Sequence, residues 1–343
     1  DDTDPEGWAE DCSPTIAPHE RVIYEMHYRD MTAHASAGSS HPGKYLGMAE
    51  HGTRSEEGLA TGIDHLREMG VTHVHLLPTA DFGSIDESYP SDQYNWGYEP
   101  KNYNAPEGTY STNPADAEAR IRELKTLVQA LHKAGMCVVL DVVYNHTTST
   151  ENCGFELTVP GYFYRMREDG SFADGSGCGN ETASEKPMMR KYMVESLEYW
   201  VKEYHIDGFR FDLAGLIDTQ TINEAISVIQ KKYPSVIFYG EGWTVGGTAI
   251  QDGHWTATKE NAWQTGSLAF YNDTFRNDIA GDNGNSWGFA TGDSGKANKM
   301  GDYFRASNGW SNSPSQTINY VSCHDNYTLI DKIIISRNGA YWD

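Results

Sequence analysis

Four apolar runs in this 343-residue sequence end in a carboxylate. CVVLDVVYNH carries Asp141 and His146, and DGFRFD carries Arg210 and Asp212. VIFYGEGW carries Glu241 and Trp243, and NYVSCHD carries His324 and Asp325. One acid at a strand end is usually a helix cap or a loop anchor. Four acids on one rim, beside a guanidinium and two imidazoles, would repel one another and cost stability unless chemistry required them. Arg210 and Asp212 stand two apart in a strand pattern, so both point the same way. The guanidinium is expected to hold Asp212 ionised, as a nucleophile needs. Glu241 follows Phe238 and Tyr239 and precedes Trp243, and apolar surroundings raise a carboxyl pKa, which suits a proton donor. An ionised carboxylate beside a protonated one is the pair that breaks a glycosidic bond. A separation of about 5–5.5 Å would make the reaction retaining, through a covalent glycosyl intermediate. Asp325 with His324 is expected to bind sugar hydroxyls and to favour the cationic transition state.

The elements that must position these groups alternate. The run 22–31 reads as a strand, 58–70 as a helix ending at Gly70, and 71–78 as a strand. Residues 115–135 show Ile121, Leu124, Leu127, Val128 and Leu131 at helical spacing. The runs 136–146, 205–212, 235–243, 265–273 and 316–325 read as strands, with helices over 185–204 and 219–233, the latter capped by Thr219 or Thr221. Alternation of this kind means a parallel sheet. Seven strand candidates and no glycine-rich dinucleotide fingerprint favour an α/β fold of the (β/α)8 TIM-barrel type over an open sheet. The loops after strands (79–113, 147–184, 242–264, 274–315) are long, and in barrels such loops build the active face. The count stops at seven, and the 18 residues after Asp325 hold room for one helix, TLIDKIIISRNG. The expectation is therefore a barrel catalytic domain over 21–343, truncated after its seventh strand, with 1–20 as the tail of a preceding domain or a linker.

The stretch DQYNWGYEPKNYNAPEGTYS (92–111) has neither a helical nor a strand period and is read as loop. A sugar ring presents C–H groups on one face, and an aromatic ring can cover them. Tyr98 and Trp96 are expected to line a bound glucose, with Gly97 and Pro100 fixing the turn. Tyr94 is assigned to the same site, with a buried plug under the loop as its alternative.

The composition narrows the partners. A formal net charge of −23 argues against nucleic acid and anionic membranes, both of which need a basic footprint, and fits a neutral ligand. The 9 Trp and 21 Tyr offer flat apolar faces with polar tips, suited to wet, sugar-like ligands. None of the five cysteines forms a CxxC pair, so a zinc ribbon is not expected. Cys137 and Cys323 read as buried small hydrophobes, and Cys153 and Cys178 could bridge in an oxidising compartment. Of the four N-x-S/T triplets, those at Asn145 and Asn326 touch the carboxylate motifs, and all are read as chance. Two rival chemistries stay open. His73 and His75 with His146, His324 and Asp325 could form a metal-dependent hydrolase site, although the histidine pair reads as mid-strand filling. A non-catalytic glucan-binding protein is the other, against which all three carboxylates stand.

At these residues the sequence resembles the type I pullulanases of the α-amylase superfamily (glycoside hydrolase family 13). YNWGYEP (94–100) resembles that group's signature, with Glu99 where Asp is usual, and DVVYNH, DGFRFD, GEGW and SCHD resemble the four superfamily regions in order. The resemblance implies retaining hydrolysis of α-1,6 branch linkages in pullulan and in fragments of starch and glycogen. An α-1,4-acting or dual-specificity enzyme is the alternative within the class. It implies Asp212 as nucleophile, Glu241 as acid/base and Asp325 as transition-state stabiliser. Asp141, His146, Arg210 and His324 would contact the sugar, Tyr98 would stack on it, and Trp243 would stand on the leaving-group side. No cofactor is needed for such chemistry. Structural calcium is possible, with the Asp- and Asn-rich loops 271–285 and 293–302 as candidates. The expected partner is a branched α-glucan, the expected state a monomer, and a secreted or cell-surface location is favoured over a cytoplasmic one. The family's eighth strand, C-terminal β-sandwich and frequent carbohydrate-binding modules have no counterpart in this sequence.

Overall fold

Every residue of Cys137–Val142 is buried, as a strand covered on both faces requires. The computed structural model describes residues 2–88, 93–306 and 309–338. Asp92, at the head of the aromatic stretch, and Gly339, at the end of the last helical run, lie outside the described residues. The strands are β1 (Ile23–Met26), β2 (His73–Leu76), β3 (Ala80–Phe82), β4 (Pro100–Pro106), β5 (Cys137–Val142), β6 (Gly208–Phe211), β7 (Ile237–Gly240), β8 (Ala269–Tyr271) and β9 (Thr317–Ile318). Seven of them form one sheet in the order β1-β2-β5-β6-β7-β8-β9, with every pair parallel. Helices Gly62–Glu68, Ala117–Lys133, Pro187–Tyr204 and Thr219–Lys232 connect successive strands. This is the α/β barrel architecture expected of the sequence.

Strand periodicity sorts side chains between two layers. Val138, Leu140, Phe209, Phe211 and Phe238 join the large outer core with Leu124, Leu127, Leu131, Leu197 and Ile226 of the helices. The alternate positions Val139, Tyr239, Ala269 and Tyr271 form a small inner cluster. Asp141 pairs in register with Arg210, and Arg210 with Tyr239, so charged groups share this inner layer. The order begins at β1 and ends at β9. A cavity of about 560 Å³ is lined there by Ile23, Glu25, Tyr239, Tyr271 and Ile318.

Several expectations need correction. The first strand stops at Met26 because His27 caps a short helix, Tyr28–Thr32; its Nδ1 accepts from the Arg29 and Asp30 amides. Asp218, not Thr219 or Thr221, caps the helix at 219 by accepting from the amides of Gln220 and Thr221. The stretch 79–113 is not all loop: β3 and β4 form an antiparallel ribbon broken by register shifts. The last strand has only two residues, so Asp325 lies seven positions beyond it. Cys153 and Cys178 are free thiols, half-buried and exposed respectively, and Cys323 is only half-buried.

Residues 2–20 lie against the helices. Trp8 is buried and stacks on the His205 ring at 4.1 Å. Asp11 Oδ2 sits 2.8 Å from both His132 Nδ1 and His205 Nδ1, and His132 Nε2 reaches Asp207 Oδ2 at 2.9 Å.

Candidate active site

Arg210 is the organising group. It projects from β6 into the inner layer and is buried. Its Nη1 donates to Asp141 Oδ1 at 3.0 Å and to Asp212 Oδ1 at 2.8 Å, and its Nη2 to Glu241 Oε1 at 2.6 Å. Three strand ends are thus tied by one planar cation, which arginine's fork geometry allows and a lysine point charge would not. Asp212 also accepts from Asn145 Nδ2 at 2.7 Å. Leu213, the next residue, has φ +39°, a left-handed conformation that costs energy for a side chain with a Cβ. That twist directs the Leu213 amide at Glu241 Oε2, 3.0 Å away. Backbone strain and the guanidinium together fix the two carboxylates relative to each other.

Electrostatics separate the two acids on the inner side. Burial, reinforced by the charges of Asp212 and Asp325, pushes Glu241 up to about 7 against the pull of Arg210. Asp141 is buried as well, but Arg210 and the hydrogen bonds from His75 and Tyr98 outweigh burial and bring it down to about 2. A buried guanidinium facing several carboxylates leaves one of them as the natural proton holder, and Glu241 is that one.

The aromatic loop reaches this cluster through Tyr98. Its hydroxyl donates to Asp141 Oδ2 at 2.7 Å, and its ring stacks on His324 at 4.7 Å. Gly97 makes the approach possible: it has φ +97°, and a Cβ there would stand 2.9 Å from Pro78 Cβ. His146 is buried, with Nε2 at 2.9 Å from the Tyr98 carbonyl and Nδ1 at 2.6 Å from Asn145 Oδ1. Both its nitrogens are therefore occupied in holding the loop and the Asp212 partner. Trp96 meets His324 edge-on at 5.3 Å. Tyr94 is half exposed and donates to Asp30 Oδ2 at 2.7 Å, away from the carboxylates, so it is not the buried plug.

A cavity of about 500 Å³ opens over the cluster, lined among others by Arg210, Glu241, Trp243, Tyr271, Arg276 and Asp325. Asp325 is half exposed and is 3.3 Å from His324 Nε2. His324 is held from below by Glu25, which accepts from its amide at 2.7 Å and meets its Nδ1 at 2.9 Å. Glu25, His75 and Asn145 are the positioning residues that sequence reasoning missed. His75 Nε2 lies 3.2 Å from Asp141 Oδ2 inside the barrel. A partial signal existed for Asn145, which stands inside DVVYNH.

Of the histidines in the rival metal reading, His75 and His324 both face Glu25 Oε1, at 3.9 and 2.9 Å, and none belongs to a metal-capable cluster among the described residues. Among the described residues, the metal-capable cluster is Asp81, Glu87 and Glu107, on the β3–β4 ribbon side. In the loops first considered for calcium, Asp282 Oδ1 accepts from the amides of Gly284 and Ser286, and Asp278 pairs with Lys296 and Lys299.

A family described as "Alpha amylase, catalytic domain" matches residues 32–159. Pullulanase of Bacillus subtilis strain 168 is 41% identical over 334 residues, which is 95% of this chain and 46% of that protein. Pullulanase A of Streptococcus pneumoniae strain D39 is 34% identical over 91% of this chain and 25% of its own length. The crystal structure of a Paenibacillus barengoltzii pullulanase with maltohexaose and α-cyclodextrin superposes with a TM-score of 0.92 at 45% identity, over 98% of this chain and 54% of that one. The chain thus spans 46% and 25% of the length of the two pullulanase sequences and 54% of the Paenibacillus chain.

Proposed function

We propose that this chain, a member of the α-amylase superfamily among its type I pullulanases, carries the site of a retaining glycoside hydrolase cleaving α-1,6-glucosidic branch linkages in pullulan, starch and glycogen-derived glucans. The observation that carries the reading is Arg210 binding Asp141, Asp212 and Glu241 together, with Arg210 and Glu241 opening on a cavity that Trp243 and Asp325 also line. Asp212 attacks the anomeric carbon. Glu241, pushed up to about 7 by burial, gives its proton to the departing glycosidic oxygen. Deprotonated, it then takes a proton from the water that releases the glycosyl group from Asp212. Asp325 stabilises the oxocarbenium-like transition state, while Tyr98 and His324, stacked on each other, line the glucose. Trp243 covers the leaving-group sugar, and Tyr94 and Trp96 bind further along the glucan. Asp141 binds the sugar's hydroxyls, and His146 holds the loop that covers them.

Product analysis tests the reading. Pullulan cut only at α-1,6 bonds yields maltotriose, with the α-anomer formed first by proton NMR. Panose or isopanose would point instead to α-1,4 cleavage, and a β-anomer to inversion. Asp212→Asn and Glu241→Gln should each lower turnover on the order of 10³–10⁵-fold while the protein stays folded by circular dichroism.

A further inference from the structure

Two tryptophans stand in water beside the site and take no part in it. Trp255 is 55% exposed and Trp263 65% exposed, and their rings meet at 6.5 Å with planes inclined by 67°. Each would normally be expected under a core or an interface, since a tryptophan buries more apolar surface than any other side chain. Their backbone is fixed. The Trp255 carbonyl accepts from the Thr219 amide at 2.7 Å, at the first turn of the helix that follows β6. Thr256 and Ala257 are buried next to it, and the Ala257 amide donates to Ile217. Trp263 rides on the short helix Lys259–Gln264, anchored by buried Ala262 and by Asn223 Nδ2 donating to the Gln264 carbonyl at 2.7 Å. Two exposed rings on a rigid base are preorganised for a ligand.

The same loop ties this patch to the cavity. Lys259 opens the short helix that carries Trp263, its amide donates to Gly242, and its ammonium lies 5.3 Å from the centre of the Trp243 ring. Trp255 lies on the side where Asp212 and Glu241 emerge, because it bonds Thr219, which follows β6; Trp263 stands next to it on the stretch that runs from Gly242 toward β8, where Gln316 donates to the Ala262 carbonyl. We propose that Trp255 and Trp263 form a second α-glucan platform, which holds a neutral glucan chain continuous with the one being cleaved. The inference rests on the proposed substrate class. Ring faces suit the C–H faces of successive glucoses, and a net charge of −23 disfavours an anionic polymer.

The test uses the whole protein. In an Asp212→Asn background, which stops turnover, retardation in native gels containing amylopectin is compared with and without Trp255→Ala/Trp263→Ala. Retardation should weaken about three- to tenfold in apparent affinity, and Trp255→Phe/Trp263→Phe should restore most of it. In the active background, KM for amylopectin should rise by the same factor with kcat unchanged, while kinetics on a short branched oligosaccharide should stay within about twofold. Should the double alanine variant fail to fold, Trp263→Ala alone must weaken retardation in the same direction. Amylopectin retardation within about twofold of the parent, or none in the parent, overturns the platform. Loss of the branch-cleaving reading shows separately, as an active-background protein that releases no maltotriose from pullulan.

Discussion

At the scale of single residues, the account depends on how one guanidinium apportions charge. Glu241 must be protonated to act as an acid, and burial pushes it up to about 7. The alkaline limb of kcat/KM should therefore fall as pH rises through about 7, the sign required of a general acid that loses its proton. A stopped assay across pH 5–9 checks this, and a rate that is flat to about pH 9 would contradict it. Tyr98 supports the neighbouring acid: Tyr98→Phe leaves the ring against His324 but removes the donor from buried Asp141. A hydrogen bond to a charged group is worth about 1.5–3 kcal/mol, so the thermal midpoint should drop by a few degrees. An unchanged midpoint would show that His75 and Arg210 suffice. Asp212 and Glu241 were legible because each falls where an apolar run stops, and Asp141 and Arg210 because they sit in the motifs DVVYNH and DGFRFD. Glu25 was not legible because it lies inside IYEM, where a carboxylate gives no end signal, and its partner His324 is 299 positions away. His75 was read as strand filling. It does fill the strand, and it also hydrogen-bonds Asp141.

At the scale of elements, the long amphipathic helices and buried strands were readable from period alone, with ends within a few residues. The β3–β4 ribbon was not, because PKNYNAP carries two prolines and two asparagines, and its pairing with Ala80–Phe82 is irregular. The seventh strand was over-read: QTINYVSCHD alternates like a strand, yet only Thr317 and Ile318 pair with β8. The packing of residues 2–20 turns on groups that look unremarkable in sequence. His132 is raised from 6.5 to about 9, where burial alone would lower it, because Asp11 and Asp207 hydrogen-bond its two nitrogens. A histidine raised on folding contributes stability that is complete below its unfolded value and is lost as pH rises through the folded one. Attachment of the N-terminal segment should therefore weaken between pH 6.5 and about 9. Protection factors of the amides in residues 2–20, taken relative to intrinsic exchange at each pH, should fall across that window, and His132→Asn should abolish that fall. Protection that is steady across the window in the parent would contradict the role given to His132.

At the scale of the molecule, seven parallel strands bring residues from 25 to 325 onto one rim, which no local reading of the chain could measure. The order of strands was inferable from alternation, because right-handed crossovers leave few other arrangements. A neutral substrate predicts indifference to salt despite the excess of negative charge on the protein. kcat/KM on pullulan should change less than about twofold between about 50 and 500 mM NaCl, whereas a charged ligand would respond steeply. Among the described residues no helix is long and apolar enough to cross a membrane.

The most direct measurement is to find which side chain becomes glycosylated. A Glu241→Gln variant incubated with an activated α-glucosyl fluoride should accumulate the covalent intermediate, because attack no longer needs an acid while its hydrolysis still lacks a base. Peptide mass spectrometry should place one glucosyl adduct on the segment containing Asp212. An adduct on another carboxylate, or turnover of the fluoride with none formed, would contradict the account.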